Sequence, residues 1–125
     1  MEKKRYLIEI GTGVDMHGGN MTTASVKAIK NAMSHCCMAG IHDVLEADIK
    51  DVALRIKVSC PKPEELDFQA LKEPVNFYED VEIVTEKGGC SEKGLHVAQM
   101  GAGDNLIVAV AVITVYVKLP PQANM

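Results

Sequence analysis

The sequence has no C-x-x-C pair, although cysteines stand at positions 36, 37, 60 and 90. That spacing signals neither a zinc knuckle nor a thioredoxin-type redox site. It also has no basic run: 13 Lys and Arg stand against 17 Asp and Glu, for a net charge of −4. Nucleic acids and anionic membranes are held through clustered cations, so neither is expected as a partner. The longest apolar stretch, 106–117, is about twelve residues and includes Thr114 and Tyr116, where a membrane span takes roughly twenty. The opening MEKKRYLIEI passes straight into an alternating pattern, with no apolar h-region and no small-residue cleavage site. The expectation is a cytoplasmic chain in a reducing compartment. Its cysteines are accordingly read as small core hydrophobes that form no disulfide.

What is present suits a globular chain: 47% of 125 residues are apolar, enough for one domain with its own core. Residues 4–10 read as a strand, with Tyr6, Ile8 and Ile10 as its apolar face. A glycine-dense loop follows over 11–19. A helix is expected over 21–39, with an apolar stripe of Thr22, Val26, Ile29, Met33, Cys36 and Cys37 and a stop at Gly40. The acidic stretch 42–51 reads as a surface connection. Val52–Cys60 alternates cleanly as a strand, and a short helix runs from Pro63 to Lys72. A third strand covers 81–86, a polar loop 87–94 and a last strand 106–118.

The order is β-α-β-α-β-β, an α+β two-layer sandwich, with one domain over 1–119 and a tail over 120–125. The first crossover implies a right-handed parallel pair of strands. The last strand is apolar on both sides, whereas two helices cover only one sheet face. A bare apolar face marks an interface, so the expected partner is a second copy of the chain.

Asp15 and His17 are the candidate catalytic residues. They sit two apart on a glycine-rich loop directly after a strand. A carboxylate beside an imidazole orients its tautomer and raises its basicity, as general-base chemistry requires. The same two side chains can ligate a metal, with His96 as a third candidate, and a divalent ion is then the candidate cofactor. The alternative is structural: Asp15 caps the helix and His17 packs on the backbone. Exposed amides make Gly11, Gly13, Gly18, Gly19 and Asn20 candidate ligand-binding positions at a helix N-terminus. A dinucleotide is not expected, because Met16 occupies the third glycine position of that fingerprint and no Gly-Lys-Ser/Thr follows. Arg55, on the wet face of the second strand, either neutralises an anionic ligand at a subunit interface or protects the face. The 87–94 loop holds Cys90, Ser91, Glu92 and Lys93. It lacks a G-x-S-x-G elbow and reads as solvated.

The residues Gly11, Gly13, Asp15, His17 and Gly18 spell G-x-G-x-D-x-H-G. This resembles the signature of a small family of bacterial and plant conserved hypothetical proteins. The resemblance runs along the whole chain, including 58–63, 86–89 and the long terminal strand, and it implies no established activity. The element order is similar to the chorismate-mutase-like fold, found in small trimeric proteins related to enamine/imine deaminases and in the repeated unit of ring-opening amidohydrolases. That likeness implies a trimer or a multiple of it, with ligand sites between subunits. The combined expectation is a small-molecule binding protein or enzyme with hydrolase- or deaminase-like acid–base chemistry. Its site lies around the Asp15/His17 loop and takes a small polar molecule. A metal-binding protein and a non-catalytic oligomeric module are the alternatives.

Overall fold

Strict alternation makes β2 (Val52–Cys60) the framework strand. It buries Val52, Leu54, Ile56, Val58 and Cys60 toward one layer, as a period of two requires. The computed structural model describes residues 1–94, 99 and 105–121. Among these, β2 belongs to a five-stranded sheet. β3 (Asp80–Lys87) runs parallel on one side of it and β5 (Asn105–Leu119) antiparallel on the other. β1 (Glu2–Asp15) pairs antiparallel with the far side of β5 and forms an edge. β1 and β2 therefore point the same way but are not neighbours, which corrects the expected direct pair. β5 takes the lane between them because it is apolar on both sides, and a central strand is the one buried in ladders along both edges.

The 87–94 segment is not simply a loop. β4 (Cys90–Lys93) pairs antiparallel with Asn105–Val108 and prolongs the lane of β2. The step from β3 to that lane needs glycine. The Gly88 N–H donates to the Cys60 carbonyl at 3.0 Å. Gly89 has φ +62°, and a Cβ there would overlap the Val108 carbonyl.

All helices among the described residues lie on one face, giving the expected two-layer α+β sandwich. α1 (Met21–Ser34) stops five residues before the expected 39. The Ser34 hydroxyl donates to the Asn31 carbonyl at 2.6 Å, and the following His35-Cys36-Cys37 are weak helix formers. α2 (Ala39–Asp43) contains Gly40 rather than ending at it. The connection 42–51 is only partly a surface segment, since Ala47 is buried there, just after the buried Ile41. The expected helix from Pro63 divides into a 3-10 turn, Pro63–Glu65, and α3 (Phe68–Lys72). The break falls at Asp67, whose carboxylate accepts the Gln69 N–H at 3.0 Å as an N-cap.

The buried stripe of α1 is Met21, Ala24, Ser25, Ala28, Ile29 and Ala32. Val26, Met33 and Cys36, expected at its centre, are only partly buried. The reason lies in β1, which runs through Asp15 and absorbs part of the expected loop. Gly11 and Gly13 pair with Ala111 and Ala109 and turn their missing side chains toward α1. A Cβ on Gly11 would overlap the backbone of Ala28 and Ala32, and one on Gly13 that of Ala24 and Ala28. Helix backbone thus lies directly on strand backbone. The same parity turns Ile8 and Ile10 outward, 50% and 58% exposed on the helix-free face. That reverses the expected burial of this strand.

The cysteines are all free. Only Cys60 is buried, Cys36 is half-buried, and Cys37 and Cys90 are exposed, so two of the four are not core residues.

Two measurements check this packing. Gly13→Ala should lower stability to urea by at least about 1–3 kcal/mol, the usual cost of overpacking, and an unchanged midpoint would contradict the backbone contact. Burial pushes the Cys60 thiol above its ordinary pKa. A thiol reagent should therefore label Cys37 and Cys90 in the native protein and Cys60 only after unfolding.

Candidate functional site

Asp15 has the parity of Gly11 and Gly13, so its side chain leaves the end of β1 on the helix side. Its Oδ2 accepts the Asn20 backbone N–H at 2.8 Å. Asn20 is the N-cap of α1, and its Oδ1 accepts the Thr23 N–H at 2.9 Å. The carboxylate therefore anchors the capping residue, which holds the helix start against the strand end. Gly19, at φ +60°, turns the chain. Gly18 packs on the carboxylate, since a Cβ there would stand 2.8 Å from Asp15 Oδ2. These contacts give Asp15 a part in the local fold at the start of α1.

His17 is half-buried. Its Nδ1 is shut off from solvent and has no hydrogen-bond partner among the described residues. No side-chain hydrogen bond among those residues joins it to Asp15. The loop lies against the start of β5, where a Cβ on Gly19 would stand 3.7 Å from the Asn105 carbonyl oxygen. The ladders bring a further group to this end. Asp15 pairs with Ile107 and Ile107 with Ser91, so Asp15 and Ser91 flank Ile107 on the helix side. Lys93, two residues on, shares that face. Ser91 and Lys93 belong to a strand rather than to the expected solvated loop; all four residues of β4 are exposed, and no apolar alternation marks it in the sequence.

Beside the loop, a cleft of about 540 Å³ is lined by Asn20, Thr22, Thr23, Lys27, Lys30 and Asp67 among others. Thr22 Oγ1 accepts the Asp67 N–H at 3.0 Å, which ties α3 to the start of α1. Two lysines, one aspartate and two threonines thus line an opening of ligand size. A second, apolar cavity of about 200 Å³ lies between Met38, Ile41, Ile49, Val52 and Tyr78.

The remaining expected site residues separate. Gly11 and Gly13 are buried beneath α1, where no ligand reaches their amides from the helix side. Gly18, Gly19 and Asn20 stay at the loop. Arg55 pairs with Thr114, whereas Asp15 pairs with Ile107. The two rows are about 23 Å apart along β5, and Arg55 is on the opposite face. Arg55 Nε lies 3.3 Å from Glu82 and Lys57 Nζ 3.7 Å from Glu86, so both cations already have partners. His96 lies outside the described residues. Among the described residues, no three His, Cys, Asp or Glu side chains gather as a metal group. No described helix is long and apolar enough to cross a membrane.

A conserved hypothetical protein family (Lin0512_fam) matches residues 5–115. The chain belongs to this family. The match contains the whole Gly11–Gly18 motif and most of β5. A crystal structure of an FtsZ-like protein of unknown function from Nostoc punctiforme PCC 73102 is similar to it, with a TM-score of 0.77 and 26% sequence identity. The likeness covers 94% of this chain and 98% of that one. No curated protein matches the sequence.

The helix-free face carries one further ion pair, Lys118–Asp80 at 2.8 Å. It crosses β2 at Ala53, which is 1% exposed although it lies on the open face. The hydrogen bond from Lys118, helped by the Lys118 and Lys3 charges, holds the Asp80 carboxyl below its usual range. A depressed carboxylate stabilises the fold above the unfolded pKa and loses that contribution as pH falls through the folded one. Asp80→Asn should therefore cost less than about 1 kcal/mol at pH 7, as expected for a partly exposed pair. The difference from wild type in urea titrations should shrink as pH falls below the ordinary carboxylate range. A difference that persists undiminished into acid would contradict the pairing.

Proposed function

We propose that this protein is a cytoplasmic homo-oligomer that binds a small polar molecule at the 16–20 loop and the adjoining cleft. The observation that carries the site is His17 Nδ1, buried and without a hydrogen-bond partner among the described residues. A buried polar atom in a native protein ordinarily has a partner, and a ligand group supplies one here. Lys27, Lys30 and the start of α1 favour an anionic or zwitterionic molecule. Asp15 holds the loop in place, and the imidazole is the group that exchanges a proton with the ligand, which is the acid–base chemistry of an enzyme of the hydrolase or deaminase type.

The occupant of the helix-free face is a second copy of the chain, in a trimer or a multiple of it. Ile8, Ile10, Val14, Val108, Val110 and Val112 share that face, and no helix among the described residues covers it. Four lanes about 4.8 Å apart and about eight residues long give about 500 Å² of flat area. With side-chain relief, that approaches the ~800 Å² per partner of a stable interface. The charged lanes of β2 and β3 are internally paired, so they meet another copy without uncompensated charge.

Amide NMR titration with a panel of small carboxylates, phosphates and amino acids tests the site. At least one compound should shift the amides of His17, Gly18, Gly19 and Asn20. His17→Ala should abolish the shifts while changing stability by less than about 1 kcal/mol. If no compound perturbs these amides, or if His17→Ala unfolds the chain, the loop is structural. Sedimentation tests the association: Ile10→Lys should dissociate the wild-type oligomer, and a wild-type monomer at micromolar concentration removes this part of the reading.

A further inference from the structure

β1 is an edge strand of 14 residues, and an edge of that length is a template for another strand. Past the register shift between Arg5 and Leu7, its even-numbered residues turn their N–H and C=O groups away from β5. The fate of those groups follows from how close α1 lies. Since Gly11 and Gly13 admit the helix backbone onto β1, side chains on the outer flank of α1 reach down over the edge. Asn31 Oδ1 accepts the Thr12 N–H at 3.0 Å. One turn earlier, Lys27 Nζ donates to the Val14 carbonyl at 3.2 Å. Glu9 Oε2 accepts the Ile10 N–H at 3.2 Å. Ile10, Thr12 and Val14 each lose an outward group to a side chain. The ends of Lys27 and Asn31 also occupy the lane about 4.8 Å outside β1 that an added strand would need. Toward the start of the strand the guard is charge. Lys3, Lys4 and Arg5 are exposed in succession, and two copies pairing there would bring like charges together.

We propose that Lys27 and Asn31 close the outer edge of β1 to strand addition, so that self-association of this chain is confined to the helix-free face of the sheet. The proposal rests on the reading above that the chain self-associates, and it names the surface by which it does not. A helix laid over an edge strand thus serves two ends, covering the core and occupying the hydrogen-bonding groups of the edge.

The test is the double variant Lys27→Ala/Asn31→Ala, alone and in the Ile10→Lys background, followed by sedimentation velocity and thioflavin T fluorescence. Wild type should give one finite species. The double variant should add larger, concentration-dependent, thioflavin-positive species, and Ile10→Lys should not suppress them, since growth at the edge does not use the face. Ile56→Val, which loosens the core without touching the edge, should not produce them. A folded double variant with the wild-type size distribution overturns the proposal. Should the double variant fail to fold, Asn31→Ala alone decides. Its Thr12 amide should exchange about fivefold faster, the equivalent of one net hydrogen bond, and Asn31→Asp, which keeps the acceptor, should restore protection. Unchanged Thr12 exchange in Asn31→Ala overturns the proposal. The oligomer reading fails separately, through wild-type sedimentation and Ile10→Lys alone.

Discussion

The contact of α1 backbone with β1 backbone at Gly11 and Gly13 is the constraint from which most of the remaining structure follows. Two glycines on one face of a strand meet three alanines, Ala24, Ala28 and Ala32, on one stripe of a helix. Dispersion contact over that stripe needs separations that a single methyl group would prevent. Once it forms, the parity of β1 is set. Odd residues face the helix, so Asp15 lands beneath the start of α1 and Ile8 and Ile10 face away. The loop between strand and helix is then short and fixed at both ends, by Asp15 on Asn20 and by Asn20 on Thr23.

Much of the fold was legible because period and punctuation carry it. The alternation in β2, the proline after Cys60 and the β-branched run of β5 each have a local cause visible in the chain. The α+β order and the helix at Met21 followed from them. The illegible parts depended on small residues. Ala24, Ala28 and Ala32 form a perfect i, i+4, i+8 series, yet the small apolar surface of alanine carries little weight in a hydrophobic pattern beside Val26, Met33 and Cys36. A stripe of alanine facing a G-x-G strand is a packing code in its own right. It inverts the usual rule that the larger apolar residues point inward. The insertion of β5 between β1 and β2 was hidden for another reason, since lane order in a sheet is a long-range property that no local pattern records.

The candidate site was legible in place more than in detail. The Asp15-to-Asn20 loop does sit at the end of a strand, beside a helix start and a cleft. The division of labour within it was not visible, because it depends on which groups hydrogen-bond. Asp15 is held by the backbone, whereas the His17 nitrogen is left without a partner among the described residues. Arg55, expected to neutralise an anionic ligand or to protect a wet sheet face, is put by the register on the face opposite this loop. Ser91 and Lys93 reach the loop only through β4, whose existence depends on the lane change at Gly88 and Gly89.

The position of β5 bears on how the molecule is built in time. β1 and β2 share no ladder, and every link between them through the sheet passes through a strand made after both. Until β5 emerges, the amino-terminal strand and its helix can associate locally, but the two halves of the sheet remain unjoined. The core then closes through pairings between segments some hundred positions apart, the kind of topology that slows folding. In that interval the apolar faces of β1 and β2 are exposed together with unpaired strand edges, the surface that makes partly folded chains adhere to one another. The strand that holds the finished sheet together is thus also the one whose late arrival leaves the growing chain most in need of protection.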